Sequence, residues 1–171
     1  MSEIIVCPLS RLAETVEQSG ARHIVTLINN DTLVSRPPVV EAADHLFLGI
    51  HDICEPADGM VCPAEEHVSE FLGFVRRWDR KTPVVIHCYA GISRSTAAAV
   101  SAFCSLRPDL DESEIARRVR ARSPEATPNA RLIAIADGLL GREGRMVRAV
   151  TQIGRGADAF EGTVFALRLD E

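Results

Sequence analysis

Residues 83–96 read Pro-Val-Val-Ile-His-Cys-Tyr-Ala-Gly-Ile-Ser-Arg-Ser-Thr and contain the most informative pattern in the sequence. The apolar run at 83–86 predicts a short buried strand. An alanine-rich run follows at 96–103 and favours a helix. The residues between the two runs are therefore expected to form a tight loop from the end of a strand to the start of a helix.

A loop of this kind suits an oxyanion. The first backbone amides of a helix have no partner within the helix, and the helix dipole favours negative charge there. Successive loop amides can form a concave nest, and Gly91 lets the backbone turn close to a ligand. The guanidinium of Arg94 can hold two oxygens at once. The predicted anion-binding residues are Tyr89, Ala90, Gly91, Ile92, Ser93 and Arg94.

A thiol lies at the base of the predicted cup. Because the surrounding amides and Arg94 are electropositive, Cys88 is expected to be largely a thiolate at neutral pH. A thiolate under a phosphate cradle is a nucleophile aimed at phosphorus. Ser95 can donate a hydrogen bond to the sulfur, both when it attacks and when it leaves. Cys88, Arg94 and Ser95 are therefore candidate catalytic residues.

The pattern His-Cys-x-x-Gly-x-x-Arg-Ser/Thr is complete at His87, Cys88, Gly91, Arg94 and Ser95. It resembles the signature loop of the cysteine-dependent protein tyrosine phosphatase superfamily. The resemblance implies hydrolysis through a cysteinyl-phosphate intermediate, with no metal and no cofactor. A rhodanese-type sulfurtransferase also has a Cys-loop-Arg arrangement, but His87 and Ser95 favour the phosphatase. Because neighbouring strand residues point to opposite faces, His87 is expected to be buried and to orient the loop rather than deprotonate Cys88.

In the resembled superfamily, an Asp on a mobile loop after a strand protonates the leaving group. Residues 45–50 are predicted to form a strand, and Asp52 follows it directly. Asp52 is therefore the leading candidate acid. Asp58 is the rival because Gly59 could serve as a hinge, and Glu55 is the third candidate. No tryptophan precedes the Asp, so the loop looks like that of the compact dual-specificity type.

Two other features allow a functional and a structural interpretation. Asn129 follows a proline at the start of a late helix, and this resembles the segment whose Asn supports the phosphate loop in dual-specificity phosphatases. The alternative is a helix-capping amide. A basic run on an earlier helix is either a rim that attracts the substrate or a solvated helix face. Its members are Arg117, Arg118, Arg120 and Arg122.

The whole chain is expected to be one α/β domain. Strand, helix and strand in the first thirty residues predict a parallel βαβ unit, with residues 4–7 as an edge strand ended by Pro8. With the resemblance, we expect a central, mostly parallel sheet of four to five strands flanked by helices. The phosphatase domain would span residues 1–171, with 142–171 as a possible C-terminal extension. The alternating residues 163–169 predict an extra strand on the sheet edge or a segment that serves a partner.

Composition narrows the class of protein. The 171 residues carry a net charge of −5, which argues against nucleic acid or an anionic membrane as the main partner. The start of the chain lacks the basic region of a secretory signal, and no apolar run reaches bilayer length. Five cysteines without a C-x-x-C pair suggest neither a disulfide framework nor a metal site. A working thiolate needs reducing conditions, so the cytoplasm is the expected location.

The sequence thus predicts a phosphatase that hydrolyses phosphomonoesters, with protein phosphotyrosine as the leading substrate. Its partner would be a phosphorylated protein or a small phosphomonoester. Superfamily members that act on phosphoinositides or RNA often place basic residues in the loop, and this loop contains no lysine. Those substrates are the alternative enzymatic hypothesis. A catalytically silent phosphate-binding module is the alternative outside enzymes.

Overall fold

The computed structural model describes residues 2–171. It contains one five-stranded sheet in the order β3-β2-β4-β1-β5. The strands are β1 (Glu3–Pro8), β2 (His23–Ile28), β3 (His45–Gly49), β4 (Val84–Cys88) and β5 (Phe165–Arg168). The first four run parallel and β5 pairs antiparallel with β1. The predicted fold class, an α/β domain with a mostly parallel sheet of four to five strands, is confirmed.

Strand β4 lies at the centre of the sheet, and all five of its residues are buried. A parallel strand covered on both faces needs a continuous apolar run, which is what residues 83–86 supply. Because the loop from 88 to 94 follows this strand, it lies at the middle of the carboxyl edge of the sheet. Ligands of open α/β sheets bind at that edge.

Six α-helices cover the two faces of the sheet. They are α1 (Leu12–Ser19), α2 (Glu65–Arg77), α3 (Arg94–Leu106), α4 (Glu112–Arg122), α5 (Ala130–Leu139) and α6 (Arg145–Ile153). Helix α1 packs on one face through Leu12 and Val16, and the other five helices contribute to the larger core on the opposite face. Two short 3-10 turns, Leu9–Arg11 and Ala42–Asp44, complete the regular structure.

The first strand is not an edge strand, so that expectation is wrong. Strand β5 covers its outer side, with Ile4 opposite Leu167. Phe165 and Leu167 are buried, while the alternate residues Ala166 and Arg168 are only partly exposed. The apolar alternation therefore places the C-terminal residues on the sheet, and β3 and β5 form its two edges.

Within the part of the chain that the structure describes, no helix is both long enough and apolar enough to span a lipid bilayer.

Candidate active site

The loop from residue 88 to residue 94, termed the Cys88 loop, turns its carbonyl groups outward. Four of its carbonyl oxygens accept hydrogen bonds of 2.8–3.2 Å from backbone amides outside the loop. The carbonyl of Tyr89 accepts from Leu9, that of Ala90 from Gly162, that of Ile92 from Thr127 and that of Ser93 from Asn129. In a planar trans peptide the C=O and the following N–H point in opposite directions. The backbone N–H that follows each of these four carbonyl groups therefore points toward the centre of the loop. Such a ring of donors is suited to an oxyanion.

The sulfur of Cys88 lies at the base of this ring. The residue is 2% exposed at the end of β4. Its Sγ accepts a hydrogen bond from the Gly91 amide at 3.3 Å and lies 3.2 Å from the Ser95 hydroxyl oxygen. The predicted nucleophile and the predicted assisting hydroxyl are thus in contact.

Two features of the backbone at Gly91, its conformation and its close packing, exclude a residue with a side chain. Its backbone has φ +71°, and a Cβ placed there would lie 2.7 Å from the backbone nitrogen of Pro8. The left-handed conformation is strained for residues with a side chain, and the close approach to β1 leaves no room for one. The tight turn of the Cys88 loop therefore depends on glycine.

Arg94 is the first residue of α3 and is only 7% exposed. Its Nη1 donates to the carbonyl of Ile50 at 2.9 Å, which orients the guanidinium plane. Its buried Nε has no acceptor among residues 2–171. A buried N–H without an acceptor is costly, and an oxyanion held by the Cys88 loop would supply one.

Asp52 is hydrogen-bonded to the Cys88 loop. Its Oδ1 accepts from the Ser93 hydroxyl at 2.7 Å and from Asn129 Nδ2 at 2.9 Å. Both contacts are made to the same carboxylate oxygen. Asp58 and Glu55 lie exposed on the same loop, and within the described chain neither side chain hydrogen-bonds to the Cys88 loop. Of the three candidate acids, Asp52 is thus the one that the described structure joins to the Cys88 loop by a hydrogen bond.

Asn129 both caps a helix and contacts the site. Its Oδ1 accepts from the Leu132 amide at 3.0 Å, which caps α5, and its Nδ2 donates to Asp52. Its backbone amide donates to the Ser93 carbonyl. The side chain therefore caps α5 as one interpretation expected, and its other end contacts Asp52 rather than the Cys88 loop.

His87 lies behind the Cys88 loop and is fully buried. Its Nε2 is 2.7 Å from the Thr26 hydroxyl, and its Nδ1 is 3.3 Å from the Cys88 carbonyl oxygen. Burial lowers the pKa of His87 from 6.5 to about 4, and the hydrogen bond to Cys88 opposes this shift only in part. The ring is therefore neutral at pH 7. The Thr26 hydroxyl is also 2.8 Å from His45 Nε2, so a chain of three side chains supports the end of β4.

Two other cysteines have thiols that are poor nucleophiles at neutral pH. Burial raises the pKa of Cys7 to about 12, and it does the same for Cys104. Both therefore stay protonated near neutral pH, where a thiol is a poor nucleophile. All five cysteines are free, and Cys54 alone is exposed.

Arg131 is a residue that sequence reasoning missed. Its Nε donates to the carbonyl of Pro63 at 2.6 Å, and its Nη1 donates to the carbonyl of Cys54 at 3.3 Å. It thus joins the two ends of the loop that carries Asp52, residues 51–63, termed the acid loop. Since its acceptors are main-chain oxygens, no side-chain pattern in the sequence indicates this contact.

The side chains of the basic run on α4 make contacts within the chain. Arg120 donates to three carbonyl oxygens, those of Ile153, Gly154 and Ala126, at 2.6–2.8 Å. The other members pair with carboxylates, Arg117 and Arg118 with Glu114 and Arg122 with Glu171. The run holds chain segments together.

Solved structures share this fold. The crystal structure of DUSP15 aligns with a TM-score of 0.64 at 16% identity, covering 88% of this chain and 89% of that one. The Cydia pomonella PTP-2 phosphatase aligns with a TM-score of 0.60 at 19% identity, covering 79% and 84%. The human tyrosine phosphatase-like serine/threonine/tyrosine-interacting protein gives 0.64 at 17%, covering 82% and 92%.

No curated protein matches the sequence significantly. Residues 8–105, more than half of the chain, match the family described as "Polymorphic toxin system, DSP-PTPase phosphatase". The matched range contains the acid loop and the Cys88 loop. The chain belongs to this DSP-PTPase family, within the compact dual-specificity-like part of the protein tyrosine phosphatase superfamily, and it is a phosphatase of that type.

Proposed function

We propose that the protein hydrolyses phosphotyrosine in proteins through a cysteinyl-phosphate intermediate on Cys88, with Asp52 as the general acid. One observation carries the proposal. The Cys88 sulfur lies below inward-pointing amides, and the carboxylate of Asp52 is hydrogen-bonded to Ser93 of the same loop.

In the first step the Cys88 thiolate attacks phosphorus and the bond from phosphorus to the tyrosyl oxygen breaks. The leaving oxygen takes the proton carried by the Asp52 carboxyl group. Negative charge on the transferring oxygens is stabilised by the loop amides and by the free Nε–H of Arg94. The products of this step are tyrosine and a phosphocysteine.

In the second step water attacks phosphorus and the sulfur–phosphorus bond breaks. The Asp52 carboxylate, now deprotonated, takes a proton from the water. The Ser95 hydroxyl, 3.2 Å from Sγ, donates a hydrogen bond to the leaving thiolate. Inorganic phosphate leaves, and the thiolate is restored for another cycle.

Charge around the site favours phosphotyrosine over polyanionic substrates. Arg94 provides the only cationic side chain of the Cys88 loop. On the acid loop, Glu55 and Asp58 are exposed carboxylates. A phosphoinositide or an RNA 5′-phosphate carries further negative groups that would meet like charge there. A singly phosphorylated tyrosine avoids that repulsion.

Cellular conditions are part of the same proposal. The mechanism needs Cys88 as a free thiolate, and reducing compartments preserve free thiols. We therefore place the protein in the cytoplasm.

The test is turnover of a chromogenic aryl phosphate, without added metal and in the presence of a chelator. Wild-type protein should release phosphate, and Cys88→Ser should abolish release. Cys104→Ala is the matched control, because Cys104 lies ten residues along α3, about 15 Å from the start of that helix. A Cys88→Ser protein that keeps most of its activity would remove the nucleophile. Phosphopeptide binding by wild-type protein without turnover would support the silent binding module instead.

The substrate class is tested by comparing kcat/KM for a phosphotyrosine peptide, a soluble phosphoinositide and an RNA with a 5′-phosphate. The peptide should be preferred, and the two polyanions should improve when Glu55 and Asp58 are both replaced by Gln and Asn. A wild-type preference for either polyanion would contradict the proposed substrate.

A further inference from the structure

The irregular segment 154–163 lies between α6 and β5 and is attached at one end to residues 124–127 and at the other to the Cys88 loop. Four of its backbone amides donate hydrogen bonds to the rest of the chain. The amide of Gly156 donates to the Thr127 hydroxyl and that of Ala157 to the Pro124 carbonyl, while that of Gly162 donates to the Ala90 carbonyl and that of Thr163 to the Glu125 carboxylate. Thr127 in turn donates through its amide to Ile92 of the Cys88 loop. The segment and the Cys88 loop are therefore joined directly and through residues 124–127.

Glycine allows the closest of these approaches. A Cβ at Gly162 would lie 2.5 Å from the carbonyl oxygen of Gly91, and a Cβ at Gly156 would lie 2.5 Å from the carbonyl oxygen of Glu125. Backbone thus packs against backbone at both places, which no other residue would permit without a shift. The position of the segment relative to the Cys88 loop is fixed by these contacts.

Between the two attachments the segment faces solvent and presents an aromatic ring. Phe160 is 84% exposed, while the neighbouring Glu161 is only partly exposed. Phe160 is two residues from Gly162, so their Cα atoms are at most about 7 Å apart. The backbone of Phe160 therefore lies close to Gly162, whose amide bonds to Ala90 of the Cys88 loop, and Tyr89 of that loop is 53% exposed.

A cavity of about 210 Å³ lies between the segment and the Cys88 loop. Its lining is mixed, with the apolar Ile92, Ala157 and Ala159 beside the polar Glu125, Thr127 and the ion-paired Arg155 and Asp158. Typical sites for small molecules and cofactors measure about 300–1,000 Å³. This cavity is smaller and suits a single side chain, such as one that flanks a phosphorylated residue in the Cys88 loop.

We propose that segment 154–163 is the peptide-recognition element of this phosphatase. Phe160 packs against an apolar side chain adjacent to the phosphotyrosine, and the cavity beside Ile92 receives one further side chain of the peptide. The inference rests on the proposed function in one respect, that the ligand is a phosphotyrosine peptide. It assigns recognition to a part of the chain outside the matched residues 8–105.

The experiment measures the affinity of the Cys88→Ser protein for two labelled phosphotyrosine peptides, one with leucine and one with glycine on both sides of the phosphotyrosine. Adding Phe160→Ala should weaken binding of the leucine peptide about tenfold, because the apolar contact is lost, and should change the glycine peptide by less than about twofold. Phe160→Tyr should bind as the parent does, since the ring is kept. Leu139→Ala, an exposed leucine at the far end of α5, is the control and should leave both affinities unchanged.

Equal affinity of the parent and Phe160→Ala for the leucine peptide, equal losses for both peptides, or no binding of either peptide would each overturn the inference. Hydrolysis of the aryl phosphate by Phe160→Ala with Cys88 intact is measured in parallel and should match wild type. If wild type fails to hydrolyse the aryl phosphate but peptide binding depends on Phe160, the proposed function fails and the recognition element stands. If hydrolysis occurs without any peptide binding, the reverse holds.

Discussion

The carboxylate of Asp52 and the hydroxyl of Ser93 are joined by a hydrogen bond of 2.7 Å across 41 residues of sequence. This bond links the acid loop to the Cys88 loop, and Arg94 also donates to the carbonyl of Ile50, the residue just before the acid loop. The groups proposed to donate the proton, to hold the phosphate and to attack are therefore positioned by one connected set of contacts. Preorganisation of this kind lowers the cost of reaching the transition state.

Replacing Asp52 with Asn should lower kcat for aryl phosphates by a factor of about 10² or more, because the leaving oxygen then departs without a proton. The loss should be larger for phenyl phosphate than for nitrophenyl phosphate, whose leaving group needs less protonation. The alkaline limb of the pH–rate profile should disappear. Asp58→Asn is the comparison and should keep both rate and profile. If Asp58→Asn shows these changes and Asp52→Asn does not, the acid is Asp58.

Replacing Asn129 with Ser should separate its two contacts. Serine is a good helix cap, so α5 and the free energy of unfolding should be nearly unchanged. The donor to Asp52 Oδ1 is lost, and kcat should fall about tenfold while KM changes little. Urea unfolding and steady-state kinetics measure the two effects. An unfolding free energy reduced by several kcal/mol with unchanged kcat would show that the cap is the only role of this side chain.

The burial of neutral His87 should make the protein less stable in mild acid. The pKa of His87 is about 4 in the folded protein, against the usual 6.5 of a free histidine. Between these two pH values the unfolded chain therefore binds a proton that the folded protein does not. Stability from this group is therefore present above pH 6.5 and is lost as the pH falls toward 4. Between pH 7 and pH 5 the loss should be about 2 kcal/mol.

Urea unfolding at the two pH values measures that loss in wild type and in His87→Gln. The variant has no titrating ring, so its free energy of unfolding should fall by about 2 kcal/mol less over the same interval, whatever its stability at pH 7. Identical pH dependence in the two proteins would mean that His87 has the same pKa in the folded and the unfolded state.

Adding a methyl group at Gly162 should disturb the Cys88 loop from outside. In Gly162→Ala the new Cβ meets the Gly91 carbonyl oxygen, and such overpacking costs about 1–3 kcal/mol. Because that carbonyl belongs to the Cys88 loop, kcat/KM for the aryl phosphate should fall as well. Gly138→Ala in α5 is the matched control, since no atom lies within 4 Å of the added Cβ. It should stabilise the helix slightly and leave activity unchanged. Equal behaviour of the two variants would contradict the close contact.

Local sequence was sufficient to locate the Cys88 loop. A strand, a glycine turn and a helix follow one another within residues 83–103, so Cys88, Arg94 and Ser95 are brought together by contiguous backbone. The same holds for the order of elements and the parallel sheet, because apolar runs of strand length alternate with helical patterns. The place of Asp52 after a strand was also readable, although its role stays a prediction.

Tertiary structure decided the contacts that join distant backbone. Hydrogen bonds to carbonyl oxygens more than 25 residues away in the chain are donated by Arg120, Arg131 and Gly162. Because every residue has a backbone carbonyl, the sequence does not indicate which one accepts. The interior position of β1 depends on β5, whose pairing partner lies more than 150 residues earlier. Sequence alone therefore determined the chemistry of the Cys88 loop, because its functional residues are close together both in the chain and in space. Only folding determined which acid lies beside it and which segment forms its wall, because those relationships are made by long-range packing.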